Sequence, residues 1–140
     1  MPVYKKMALG DIIPLALFHA KLDEVDKRFY HPCAMSFFPA LKFMWDRYHG
    51  ICVEAKTEGD ILGFAFVRDN EFGIVVDANY RNLGIGHKLI ECIVAVKPRL
   101  WLKVYVNNIK AIKLYKDCGF VITEKGFDSR GRDILRMERN

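Results

Sequence analysis

Val75 to Leu89 reads VVDANYRNLGIGHKL. A short apolar strand runs into a polar turn, and Gly84 and Gly86 stand where a helix begins, with Ile85, Leu89, Cys92, Ile93 and Val96 on one helical face. Glycine at such a junction lets backbone approach a ligand, and the first turn of a helix leaves N–H groups without intrahelical acceptors. Acidic side chains usually complement that end, but here it carries His87 and Lys88 and no carboxylate. An external anion is the natural replacement. The spacing GxxxxGK[ST] of a P-loop is absent, and the dinucleotide fingerprint GxGxxG fails because Leu89 occupies its third glycine position.

Moving outward, the period of the apolar residues changes several times. Val3 to Lys6 is a short strand candidate; Asp11 caps a helix with Ile12, Leu15, Phe18 and Leu22 at helical spacing, and a second helix is expected from about Ala40 to Tyr48. Ile51–Lys56, Ile61–Arg68 and Phe72–Val76 read as three strands separated by turn residues. Pro98 follows the helix that begins at Ile85, Leu100–Val106 alternates as a strand, and Asn108 caps a helix that Gly119 stops. Phe120–Lys125 and Arg132–Met137 form a last hairpin around DSRG. The order is strand, two helices, three strands, helix, strand, helix, two strands, an α/β class with mixed strand directions.

The 140 residues suit one domain, residues 1–140, and 51% hydrophobic with 28% charged residues is a globular composition. The formal charge is +5, which admits nucleic acid, a membrane surface or a phosphorylated cofactor as partner. Its distribution is uneven. Residues 1–80 carry 9 basic and 11 acidic side chains, a net of −2, and residues 81–140 carry 13 and 6, a net of +7. No apolar run reaches the roughly 18–20 residues of a membrane span, and no secretory signal is evident, so a cytoplasmic protein is expected. Cys33, Cys52, Cys92 and Cys118 form no CxxC pair and read as buried small hydrophobes, with no zinc arrangement.

A second segment makes the first specific. Asn108 to Phe120, NIKAIKLYKDCGF, has the form NxxAxxLYxxxGF and follows RNLGIG at Arg81–Gly86. Together they resemble the GCN5-related N-acetyltransferase (GNAT) superfamily, whose element order matches essentially the whole chain. The resemblance implies a central mixed sheet of about six to seven strands flanked by about four helices. It implies acetyl-CoA as co-substrate, an amine as acceptor, a protein N-terminus or lysine or a small molecule, and no metal.

Carried over residue by residue, the resemblance places the coenzyme A pyrophosphate on Arg81, Asn82, Leu83, Gly84, Ile85, Gly86 and His87. Val75 and Val76, ending the fourth strand, would bond the pantetheine arm through their main chain, the Val76 N–H would face the developing oxyanion, and Asn108 would contact the arm. Tyr115 would protonate the departing thiolate, a role that its pKa near 10 against about 8.5 for a thiol allows. The general base departs from the family's pattern: in LWLKVYV the acidic position is held by Lys103. Glu71 and Tyr105 are candidates, with solvent through a water chain as the alternative, while Asp77 is expected to shape the turn.

Acceptor choice is expected to reside in the N-terminal helices and the final hairpin. The aromatic cluster Phe29, Tyr30, Phe37, Phe38, Phe43, Trp45 and Tyr48 reads as core more readily than as a pocket, and His31 as structural. The basic residues Arg130, Arg132, Arg136 and Arg139 are consistent with an acidic acceptor or with a solvated hairpin face. A catalytically silent acetyl-CoA-binding sensor or partner module is the competing reading. Nucleic-acid binding lacks a motif, a membrane role lacks a segment, and a homodimer stays open.

Overall fold

The structure, a computed structural model, describes residues 2–6, 51–58 and 60–140. The two expected N-terminal helices, the aromatic cluster from Phe29 to Tyr48 and His31 lie outside the described residues. The described elements are β1 (Val3–Lys6), β2 (Ile51–Thr57), β3 (Asp60–Arg68) and β4 (Glu71–Val76), then a 3-10 turn (Ala78–Tyr80) and α1 (Ile85–Val96). β5 (Leu100–Tyr105), α2 (Ile109–Asp117), β6 (Val121–Phe127) and β7 (Asp133–Arg139) complete them.

The seven strands form one sheet in the order β1-β2-β3-β4-β5-β7-β6. Every neighbouring pair is antiparallel except β4 and β5, which α1 connects as a crossover and which therefore run parallel. α1 packs on β2, β3 and β4 through Ile85, Leu89, Ile90 and Ile93, each fully buried side chain worth about 1.5–3 kcal/mol of transfer free energy. The same core takes in Phe72 of β4, Leu102 and Val104 of β5, Leu135 and Met137 of β7, and Tyr115 of α2.

Alternation along the strands sends the intervening residues to the other side of the sheet. That face carries Phe64 and Phe66, whose ring centroids are 6.3 Å apart, and Arg68, Glu71, Trp101, Lys103 and Tyr105 in register with them or their neighbours. Gly73 lies there too, because a Cβ at that position would collide with the Phe66 ring.

Most element ends fall within two residues of the sequence expectation. The last hairpin is longer, since β7 pairs with β5 as far as Arg139↔Leu100. Phe120 drops out of β6 because its N–H bonds the carbonyl of Tyr115 and closes α2 instead.

Candidate active site

β4 and β5 separate almost as soon as they meet. Glu71↔Trp101 is their one register pair among the described residues, held by the Trp101 N–H on the Asn70 carbonyl at 2.9 Å. A cavity of about 1250 Å³ occupies the gap and runs to the start of α1 and α2. The orientation of the β4 backbone follows from Asp77, whose N–H bonds the Leu62 carbonyl of β3 at 2.8 Å. Main-chain groups alternate sides, so those of Val75 turn to β3 and those of Ile74 and Val76 face the gap. Of the two residues expected to bond the pantetheine arm, Val76 thus turns its main-chain groups to the gap, as Ile74 does, and Val75 turns its own to β3. The parity of Asp77 in the sequence could have indicated this only once its partner strand was known.

Beyond β4 the chain makes a turn that leaves its amides open. Asp77 Oδ1 accepts from the Asn79 N–H at 2.8 Å and starts the 3-10 turn, and Arg81 Nε donates to the Val76 carbonyl at 3.1 Å. Asn82 and Gly84 then adopt left-handed conformations, φ 62° and 82°. The first helical hydrogen bond is Lys88 N–H to Gly84 C=O, and the six N–H groups of residues 82–87 have no acceptor among the described residues. No side chain caps α1 and no acid stands in its first turn. Six amides left open among the described residues, with no acid in the first turn of α1, suit an anion.

The two glycines differ in what they do. A Cβ on Gly84 would meet nothing within 4 Å, so its requirement is conformational. A Cβ on Gly86 would lie 3.0 Å from Leu114 Cδ2, so its requirement is the close approach of α1 to α2. The glycine motif and the LY of the second motif are therefore in contact.

Every signature residue of that second motif has a local task. Asn108 Oδ1 accepts from the Ala111 N–H at 3.4 Å and caps α2 while lining the cavity. At the other end Gly119, φ 92°, lets the Gly119 N–H reach Lys116 and the Phe120 N–H reach Tyr115, the two hydrogen bonds of a Schellman closure. The accompanying apolar contact is Phe120 on Tyr115, ring centroids 5.8 Å apart. Tyr115 is only 7% exposed and lines the cavity, and its hydroxyl has no hydrogen-bond partner among the described residues. Burial raises its pKa well above the ordinary phenol range, which keeps the proton on at neutral pH. A buried hydroxyl left without a partner is uncommon.

The opposite wall comes from β5 and the β6–β7 turn. The Tyr105 hydroxyl donates to Asp128 at 3.0 Å and accepts from Arg132 at 2.7 Å, with the guanidinium 4.6 Å from the ring centroid. Burial, then the bond to Asp128, raises the pKa of Tyr105. Tyr105, a candidate general base, thus has its hydroxyl engaged both as donor and as acceptor. Partial burial works against ionisation of Asp128. It is outweighed by the N–H groups of Arg132 and Arg130, the Arg132 guanidinium at 2.6 Å and Tyr105, which together hold the carboxyl well below the usual range. DSRG signals this turn in the sequence, but nothing there links it to Tyr105.

Glu71 is exposed, lines the cavity and has no ion pair or hydrogen bond from its carboxylate among the described residues. Cys92 and Cys118 are free and half-buried rather than buried, both packed on the core, and burial pushes the Cys118 thiol pKa up, away from nucleophile chemistry. Among the described residues there is no group of three or more His, Cys, Asp or Glu able to hold a metal, and no helix long and apolar enough to cross a membrane.

The probable spermine N(1)-acetyltransferase of Bacillus subtilis subsp. natto is 32% identical over an alignment covering 58% of this chain. That alignment spans 65% of the relative's length. Among solved structures, the GNAT domain of S. lividans PAT superposes with a TM-score of 0.84 at 19% identity, covering 98% of this chain and 89% of that one. The spermidine N-acetyltransferase of Vibrio cholerae, solved with CoA and spermine, gives 0.77 at 18% identity, covering 98% and 94%. Residues 19–120 match the profile of the Acetyltransferase (GNAT) family. With both motifs, the parted parallel strands and more than half the chain within that profile, the protein belongs to the GNAT acetyltransferase family.

Proposed function

We propose that the chain is an acetyl-CoA-dependent N-acetyltransferase that moves an acetyl group directly onto an amine. One observation carries the reading: Asn82, Gly84, Ile85, Gly86 and His87, from the run of amides at residues 82–87 that has no acceptor among the described residues, line the same cavity as Tyr115, whose hydroxyl has no partner among them. The amides, with Arg81 beside them, suit the pyrophosphate, and the main-chain groups of Ile74 and Val76 suit the amides of the pantetheine arm. Asn108, capping α2 at the cavity wall, is assigned to contact that arm. The Val76 N–H is assigned to the thioester oxygen, where charge develops as the amine adds. The Tyr115 proton goes to the departing sulfur, and the amine proton goes to Glu71 or to water.

An amine acceptor is supported by the similarity to a probable spermine N(1)-acetyltransferase and a spermine/spermidine N(1)-acetyltransferase of Bacillus subtilis. The test is release of free thiol from acetyl-CoA by the purified protein over a panel of amines. Amine-dependent release supports the reading; tight binding of acetyl-CoA without release favours a silent binding module.

A further inference from the structure

Among the described residues, some charges on the sheet face opposite α1 and α2 are compensated. Arg136 is paired to Glu138 at 2.9 Å and stacked 4.2 Å from the Trp101 ring centroid, and Arg132 is paired to Asp128. Two are not. Lys103, exposed and lining the cavity, has no carboxylate partner among the described residues, and its Nζ lies 5.7 Å from the Trp101 ring centroid. Glu71, the register partner of Trp101, is also without an ion pair among the described residues. The two charges, of opposite sign, flank Trp101 where β4 and β5 begin to part, yet do not pair with each other.

From this we infer that Lys103 binds an anionic group of the acceptor, so that the acceptor is an amine carrying a carboxylate or similar anion close to its nitrogen. This rests on the N-acetyltransferase reading. The amine is directed to the cleft beside Glu71, and the anion to Lys103, whose ammonium can make a charge-assisted hydrogen bond to it. A purely cationic polyamine would set like charge against Lys103. The source of the anion is a free amino acid or an acidic side chain at a peptide N-terminus.

The experiment measures amine binding by calorimetry in the presence of CoA, and thiol release from acetyl-CoA, for matched pairs. The pairs are amino acids with their carboxamides, and peptides beginning with acidic residues with their neutral counterparts; spermidine is the cationic arm. The wild type is expected to prefer the anionic member of a pair at least about tenfold, as a charge-assisted hydrogen bond would give. Lys103→Met should bring that ratio to about one, and Lys103→Arg should preserve it. Equal use of both members, a ratio unmoved in Lys103→Met, tighter spermidine binding or no amine binding at all overturns the proposal. Lys103-dependent preference in binding without thiol release from any amine would sustain it and remove the acetyltransferase reading. Thiol release without charge preference would do the reverse.

Discussion

Tyr115 meets Phe72 edge to face, ring centroids 6.2 Å apart at 89°, and Phe72 is the sequence neighbour of Glu71. Strand alternation therefore puts the proposed acid and the candidate base on opposite sides of the sheet, with the gap between β4 and β5 as the passage joining them. One side is lined by the free amides and α2, the other by Glu71, Lys103 and the Tyr105–Asp128 wall. Cofactor and acceptor can then arrive from different directions.

The unpartnered hydroxyl separates catalysis from stability at one position. Tyr115→Phe should leave the melting temperature equal or higher, since a buried group without a partner is removed, while kcat falls about 10²- to 10⁴-fold, the usual worth of a positioned acid. Thermal melts and steady-state kinetics check the pair. A large stability loss would mean that the hydroxyl has a structural partner.

The glycines should fail differently. Gly84→Ala faces no steric obstacle but must hold a left-handed φ, at a cost of about 1 kcal/mol, and should weaken CoA binding; Gly84→Asn should be milder. Gly86→Val must displace Leu114 and should cost about 1–3 kcal/mol by overpacking. Urea melts with CoA titrations distinguish the two.

Asp128 gives stability a pH signature. Its folded-state pKa is depressed, so its contribution is fully present above the ordinary carboxylate value near 3.9 and is lost as pH falls through the folded value. Asp128→Asn should lower the melting temperature at pH 7, and the gap from wild type should close progressively in acid below about pH 4. A gap independent of pH would exclude the ionised carboxylate as its source.

Glu71 is tested by the rate profile. If it takes the amine proton, Glu71→Ala lowers kcat by about 10²-fold or more and removes the acid limb of the kcat profile. An unchanged profile assigns the proton to water.

Local chemistry made much of this protein legible in advance. Gly84 and Gly86 at the start of an apolar helical stripe, Asn108 before one and Gly119 after it are caps and stops set by neighbours a few residues away. The order of strands and helices along the chain followed from period changes of the same range. What the tertiary structure decided concerns residues remote in sequence. Which amides face the gap depended on Asp77 bonding Leu62, which side Glu71 takes depended on Phe72 packing against Tyr115, and the engagement of the Tyr105 hydroxyl depended on a turn 23 residues away. Helix caps and alternation act over one turn or one strand, whereas strand pairing and buried charge couple distant segments, so only the folded chain could show which of the candidate groups remain free.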